Sequence, residues 1–456
     1  MLSIINPASE AVIQTIASAS QDDVQGAYDA AAQAGRSWSQ QPYWQRAKVI
    51  TKFRKLLAER RNECARILSG EMGKPVHQAE GEINATLARV DWFLENTPQQ
   101  LETELIHVEP PMVEEISYEP LGVIANISAW NFPYFVGSNV FIPALLTGNT
   151  VLYKPSEFAT LTGLKIQELL VEAGLPSHVM QTLPGGAEVG KALSALPIDG
   201  MFFTGSVRTG LRIAEAVAGR LIKVGMELGG KDPAYVCDDV DVKAAAENVA
   251  DGSFYNAGQS CCAVERVYVH KDIYDEFLSH FKAFTEGLVV GDPNDAKTYM
   301  GPLARQAQLA VLTDQIEDAL EKGAHFLVEG GKQEGRGFFF APTALVHVNH
   351  DMKIMQEESF GPVIGIQKVS SDSQAVALMN DTSYGLTSSV HTNDEQRARR
   401  LMQQLDAGTV YWNCCDRVSP YLPWSGRKAS GLGTTLSHIG VKTFVQPKAW
   451  HLKHPD

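Results

Sequence analysis

The run Leu121-Gly122-Val123-Ile124-Ala125-Asn126-Ile127-Ser128-Ala129-Trp130-Asn131-Phe132-Pro133 opens a stretch, 121–153, that holds no charged residue. It is long enough to span a bilayer, so the fold turns on whether it is a membrane span or a buried core. A spanning helix must satisfy its own backbone. Pro133 and Pro143 interrupt this one, as do Gly122, Asn126, Asn131, Gly137, Asn139, Gly148 and Asn149. A buried strand at 123–127, a tight loop and a buried helix account for the run instead.

The alternation continues downstream. Val151-Leu152-Tyr153-Lys154 reads as the next strand, with a helix over about 162–173 that stops at Gly174. Further apolar runs follow at 180–183, 201–204 and 221–228. Short apolar runs alternating with helices predict a parallel, doubly wound α/β sheet. Such sheets take nucleotides at the carboxyl ends of their strands. A second series begins after 230, with strands at 234–236, 267–269, 338–343 and 363–369. Its helices fall at 242–255 and near 272–288, 303–322, 372–380 and 393–405. Upstream, residues 20–100 read as helices at 21–37, 44–68 and 79–105. Residues 106–118, with Pro110-Pro111, read as an extended hairpin. The tail from 441 to 452 reads as a final strand.

At 456 residues the chain exceeds one compact core, so two or three domains are expected. Apolar residues make up 44% and charged residues 20%, which is globular composition rather than disorder. The net charge of −14, with no basic cluster, argues against nucleic acid or an anionic membrane as a partner. The start, Met1-Leu2-Ser3-Ile4-Ile5-Asn6-Pro7, has no basic segment leading into a long apolar core, so no signal peptide is expected. Cysteines stand at 64, 237, 261, 262, 414 and 415. Adjacent pairs do not suit ordinary disulfides and no His/Cys group has zinc spacing, so a reduced, cytoplasmic setting and no metal are expected.

Several residues carry chemical potential. Cys261 and Cys262 follow Gly258-Gln259-Ser260; either is a potential nucleophile, and both would pass as small buried hydrophobes. Glu227, before Gly229-Gly230, suits a general base if burial raises its pKa, or is a solvated acid at a strand end. Asn131 has an amide that can donate to an oxyanion, or simply forms a turn. Lys154 and Glu157, in Lys154-Pro155-Ser156-Glu157, suit a ribose, and an acid there disfavours a 2′-phosphate. Gly205-Ser206 opens a helix whose N-terminus suits a pyrophosphate, with Ser206 as its cap, although GxGxxG is absent. Glu358 and Phe360 flank a Gly-Pro turn able to hold a sugar hydroxyl and a ring.

These segments together resemble the aldehyde dehydrogenase superfamily. Trp130 and Asn131 fall in its WNFP motif, Lys154, Ser156 and Glu157 in KPSE, and Gly205 and Ser206 in FTGS. Glu227 falls in ELGGK, Cys261 in GQxC, and Glu358 and Phe360 in ExFGP. Residues 423–433 are similar to PxGGxKxSGxG, with Ser425 in place of a glycine. The resemblance spans the chain. It implies a Rossmann-like cofactor domain (1–105 plus 121–229), an α/β catalytic domain (230–435) and a small β arm for oligomerisation (106–120 plus 436–456).

It further implies NAD-dependent oxidation of an aldehyde to its acid by a homodimer or homotetramer. Cys261 would be the nucleophile, with a thioester intermediate; Glu227 would activate water; Asn131 would stabilise the oxyanion. Trp130, Lys154, Ser156, Glu157, Gly205, Ser206, Glu358 and Phe360 would bind NAD, with NADP disfavoured by Glu157. Cys262 would be a neighbour only. Arg417 suits the distal carboxylate of a semialdehyde, whereas Phe132 and Trp424, with Trp130, suit an apolar aldehyde. A CoA-acylating semialdehyde dehydrogenase and a catalytically idle relative are the alternatives. Two departures bear on proton movement. Val140 stands where the family often has a lysine, and Thr434-Thr435 where it often has Arg-Glu.

Overall fold

The computed structural model describes residues 1–455. Two large sheets carry the chain. The first has the strand order Gly431–Leu432, Lys223–Glu227, Gly200–Thr204, Val123–Ile127, Thr150–Lys154, Met180–Thr182. All pairings are parallel except that of the Gly431–Leu432 edge. The chain enters at Val123–Ile127, steps outward through the next two strands, then returns to build the other side. The reversal leaves a crevice at the carboxyl ends of Val123–Ile127 and Gly200–Thr204, where such sheets bind ligands.

The charge-free run explains itself here. Val123–Ile127 and Thr150–Lys154 are buried at every position, as strands covered on both faces must be. Between them the helix Pro133–Leu146 buries every residue except Phe135. Pro133 sits in its first turn, where a missing N–H costs nothing. Among the described residues no helix is long and apolar enough to cross a membrane.

The second sheet has the order His325–Val328, Thr343–Val346, Val363–Val369, Val264–His270, Asp232–Val236, Thr387–His391, Thr409–Trp412. It is parallel apart from the His325–Val328 edge. A third, antiparallel sheet joins Val445–Lys453, Met112–Pro120 and Glu104–Glu109. The expected α/β class, with a doubly wound unit, a second α/β unit and a small β arm, is the observed one. Gly431–Leu432, from the second unit's stretch of sequence, completes the edge of the first sheet.

Several local expectations change. The helix expected over 44–68 is two, Tyr43–Glu59 and Arg61–Met72, because Arg60 leaves helical geometry at φ −102°, ψ 21°. The strand expected at 338–343 breaks at Pro342, which has no N–H to give a ladder. Phe340–Ala341 pairs with Gly331–Lys332, and the sheet strand is Thr343–Val346. The tail first forms a short helix, Ser437–Val441, and a helical turn, Lys442–Phe444, before its strand starts at Val445. The hairpin Leu2–Ile5 with Val12–Ile16, and the strands Thr387–His391 and Thr409–Trp412, are additions to the sequence reading.

Candidate active site

Four of the six strands of the first sheet each deliver one polar group to the crevice. Asn131 follows Val123–Ile127, Lys154 ends the next strand, Ser206 follows Gly200–Thr204, and Glu227 ends Lys223–Glu227. The loop that carries Cys261 comes from the second unit. The helix Val242–Phe254 ends, and the chain turns through Asn256, Ala257 and Gly258, all in the left-handed region at φ 53°, 56° and 67°. A non-glycine residue held there costs roughly 1–3 kcal/mol. Hydrogen bonds hold the turn: Asn256 Nδ2 donates to the Gln259 carbonyl at 3.0 Å, and the Asn256 backbone N–H donates to Gln78 Oε1 at 3.2 Å. The Ala304 N–H donates to Gln259 Oε1 at 2.9 Å.

The two units lock together at this loop. Asn131 Nδ2 donates to the Gln259 carbonyl at 3.1 Å. That uses one of the two amide hydrogens and leaves the other. Gly230 lies so close that a Cβ there would stand 2.8 Å from the Cys261 carbonyl oxygen. Its N–H donates to Glu358 Oε1 at 3.2 Å, which ties the Gly229-Gly230 turn to the Glu358 loop as well.

The adjacent cysteines differ. Cys261 is partly accessible and Cys262 is buried. The Cys262 thiol donates to Asp416 Oδ1 at 3.1 Å, and Ser260 Oγ donates to the same oxygen at 2.9 Å. The hydrogen bond with Cys261, burial and the nearby Asp416 carboxylate push the Cys262 thiol well above the usual range, so it stays protonated. Asp416 is itself raised, chiefly by burial. Sequence reasoning passed over Asp416; only its place after Cys414-Cys415 marked it.

Glu227 keeps partial access. Burial raises its pKa, and four partners pull it back: the Thr435 hydroxyl, the Arg89 guanidinium, the Thr204 hydroxyl and the Asn139 amide. Thr435 Oγ1 donates to Glu227 Oε1, and Thr204 Oγ1 donates to Oε2 at 3.3 Å. Val140, Trp424 and Thr435 line the same cavity as Glu227.

The remaining candidates spread along the crevice. Trp130 packs edge-on against Phe360 at 5.4 Å and Phe158 at 6.3 Å, with the Arg305 guanidinium 5.7 Å from its ring. Lys154 Nζ is 3.9 Å from Glu157 Oε2 and donates to the Pro155 carbonyl at 3.1 Å. Ser156 Oγ accepts from the Phe158 N–H at 3.3 Å. Ser206 takes the cap position of Val207–Val217, yet its hydroxyl bonds Thr209 Oγ1 at 3.1 Å and caps no helix N–H. That departs from the expected cap and leaves the first turn of N–H groups without a side-chain partner. The Gly205 N–H donates to the Glu227 carbonyl at 3.0 Å. Glu358 is pushed up to about 8 by burial and by the nearby Glu265 carboxylate. Arg305, which sequence reasoning missed, lies between charges: burial lowers its pKa, and Glu157 and Glu358 raise it.

Phe132 lies under the Lys74 ammonium, 3.6 Å from its ring centre. Arg417 is exposed, and its carbonyl accepts from the Tyr411 hydroxyl. Away from the crevice, Asp238, His270 and Asp272 bring ligand-type atoms within 4.8 Å of one another. The Arg397 guanidinium already sits 2.7 Å from Asp238.

Residues 1–450 match the model of the aldehyde dehydrogenase family. The chain is 34% identical to a succinate-semialdehyde dehydrogenase [NADP(+)] of Deinococcus radiodurans, over 97% of this chain and 93% of that protein. It is 35% identical to a peroxisomal aminoaldehyde dehydrogenase 1 of Malus domestica, over 98% of this chain and 91% of that protein. Its fold is similar to the crystal structure of a betaine aldehyde dehydrogenase from Staphylococcus aureus in complex with NAD+. The TM-score is 0.95 at 30% identity, covering 100% of this chain and 92% of the other.

Proposed function

The chain belongs to the aldehyde dehydrogenase family, and from that premise we propose how its residues turn an aldehyde into the carboxylic acid. It is an NAD(P)-linked oxidoreductase acting on aldehydes. The observation that carries the mechanism is the unequal pair of thiols: Cys262 is enclosed with its proton held against Asp416, while Cys261 is accessible.

Cys261, as its thiolate, adds to the aldehyde carbonyl and gives a thiohemiacetal. The second amide hydrogen of Asn131 and the backbone N–H of Cys261 donate to the oxyanion. Bound NAD supplies the acceptor for the two electrons and the hydrogen lost as the thiohemiacetal becomes a thioester. Glu227 then takes a proton from the water that adds to the thioester. The Cys261 thiolate departs and the acid is released. A base with a burial-raised pKa that still reaches water suits that step.

The residues along the crevice fit a dinucleotide. The first turn of Val207–Val217, entered from Gly205 and Ser206, offers N–H groups without a side-chain cap. Glu358 is a half-buried acid with a raised pKa, which a ribose hydroxyl would satisfy. Lys154, Ser156 and Glu157 stand at the neighbouring strand end for the other ribose. Trp130 and Phe360 flank the cleft between them. We assign NAD rather than NADP on Glu157, whose carboxylate disfavours a 2′-phosphate.

For substrate, Phe132 and Trp424 offer an apolar surface, and Arg417 a cation for a distal carboxylate. The antiparallel sheet of 104–120 and the tail exposes Leu105, Ile106, Val108 and Trp450, and is the face assigned to dimer or tetramer formation. We assign 1–105 with 121–229 to cofactor binding and 230–435 to catalysis. Six free thiols suit the reducing cytoplasm.

The test is turnover of short aliphatic, aromatic, amino and semialdehyde substrates with NAD and NADP, with product identified. Reduced cofactor and free acid are expected, and Cys261→Ala should abolish turnover while cofactor binding persists. A CoA-dependent thioester product, or activity retained in Cys261→Ala, would overturn the mechanism.

A further inference from the structure

Arg89 is a charge with an unusual setting. It lies on the helix Val76–Leu101, is 1% exposed, and stacks on the Phe135 ring at 3.4 Å. Its hydrogen-bond partners among the described residues are all neutral. The guanidinium donates to the carbonyls of Phe135 and Val418, each at 3.2 Å, and to Asn139 Oδ1. Its Nε has no partner. A cation taken out of water is costly unless an opposite charge answers it. Burial pushes Arg89 down to about 9, and the acid that pulls it back most is Glu227.

Asn139 is the joint between the two. Its Oδ1 accepts from Arg89, which leaves its NH2 to face the other way, and the Asn139 amide is among the groups that pull the Glu227 pKa down. The groups facing Glu227 come from four segments: Arg89 from Val76–Leu101, Asn139 from Pro133–Leu146, the Thr204 hydroxyl and the Thr435 hydroxyl. Arg89 is the charged member of that set. Val140, next to Asn139, lines the Glu227 cavity and carries no charge.

We propose that Arg89, acting through Asn139, is a positioning residue for Glu227: it brings to the cavity, from a different helix, the positive charge that Val140 does not supply, and its hydrogen bond orients the Asn139 amide on the side of the Glu227 carboxylate. The proposal rests on Glu227 as the base of thioester hydrolysis. Removing the cation weakens the carboxylate form of Glu227, so more of the base is protonated at neutral pH. Attack by Cys261 and the oxidation step do not draw on it.

The experiment compares Arg89→Met, Arg89→Lys, Asn139→Leu and Glu227→Gln. It reads kcat and KM from about pH 5.5 to about pH 9, with the pre-steady-state burst of reduced cofactor. In Arg89→Met the acid limb of kcat should move up by about one unit and kcat at neutral pH should fall about tenfold, with KM and burst amplitude kept. Arg89→Lys should return the limb toward its original position, since the charge is restored without the planar fork. Asn139→Leu should lower kcat with a smaller shift of the limb. An unmoved limb in Arg89→Met, or a wild-type kcat in Asn139→Leu, overturns the proposal. If Arg89→Met does not fold, Asn139→Leu and Arg89→Lys decide it alone. A Glu227→Gln enzyme that still shows the acid limb would instead sink the reading of Glu227 as base.

Discussion

Two regions of the crevice hold buried cations by different means. Under the Asn131 loop, Lys74 meets Glu82 at 2.5 Å, both fully buried, and also donates to the Asn131 carbonyl at 2.7 Å. Glu82 in turn accepts from the N–H groups of Tyr134 and Phe135, at the start of the helix Pro133–Leu146. Beside Glu227, Arg89 has neutral hydrogen-bond partners only. A compensated pair projects little field and fixes geometry, which suits the oxyanion donor proposed at Asn131. An uncompensated cation projects its field onto a neighbour, which suits the base proposed at Glu227, whose titration has to be set.

The largest expected effect breaks the compensated side. Lys74→Met would leave the Glu82 charge buried and alone, a loss of roughly 3–5 kcal/mol by denaturant titration. Lys74→Met combined with Glu82→Gln should recover a good part of that, because the second change removes the orphaned charge. Equal stabilities for the single and the double variant would show that the pair is not the clamp described here.

A second compensated pair allows a smaller test. Lys231 meets Glu265 at 2.8 Å, and Glu265 accepts from the N–H groups of Ser359 and Phe360, also at 2.8 Å. These bonds hold Phe360 at φ 47°, a strained value for an aromatic residue. Glu265→Gln weakens two charge-assisted bonds, each worth about 1.5–3 kcal/mol. The expected result is cofactor binding weakened about tenfold by fluorescence titration, with kcat at saturating cofactor changed far less. Unchanged cofactor affinity would separate this pair from the loop's function.

Legibility follows the same division between local and distant. The motif residues were readable because their signal lies within a few neighbours: Cys261 behind Gly258-Gln259, Glu227 before a Gly-Gly turn. The strands at 123–127 and 150–154 were readable because burial on both faces leaves an apolar run. Arg89 was not, since a lone arginine in a charged amphipathic helix reads as solvated. Only the fold, by packing that helix against Pro133–Leu146, shows it buried. Arg305, Lys74 and Asp416 were hidden for the same reason. Thr387–His391 escaped because Thr387-Ser388-Ser389 looks like a turn. Its burial is imposed by parallel neighbours on either side. Periodicity ran on through Arg60, so one helix was expected where the backbone makes two.

The Glu358 loop gives a pH test with a modest effect. Its carboxyl is pushed up to about 8, so below that pH the group is largely protonated in the free enzyme. A ribose hydroxyl donates to the carboxylate form, so cofactor affinity should rise as pH increases from about 7 to about 9, by a few-fold. Glu358→Gln should flatten that dependence. A wild-type affinity that falls over this range would reverse the assigned role of Glu358.

The smallest effect is expected at Cys262. Its thiol donates to Asp416 beside the Ser260 hydroxyl, which donates to the same oxygen. Cys262→Ala removes one of two donors and a small buried side chain, a cost near 1 kcal/mol. Because Cys261 remains, turnover should stay within about twofold of the parent. Asp416→Asn should have a larger effect on stability, since both donors then lose the charged acceptor. A Cys262→Ala enzyme as inactive as Cys261→Ala would mean that the buried thiol takes part in the chemistry. The division of labour between the accessible and the enclosed cysteine would then fall, and with it the contrast between groups that hold the site and groups that react in it.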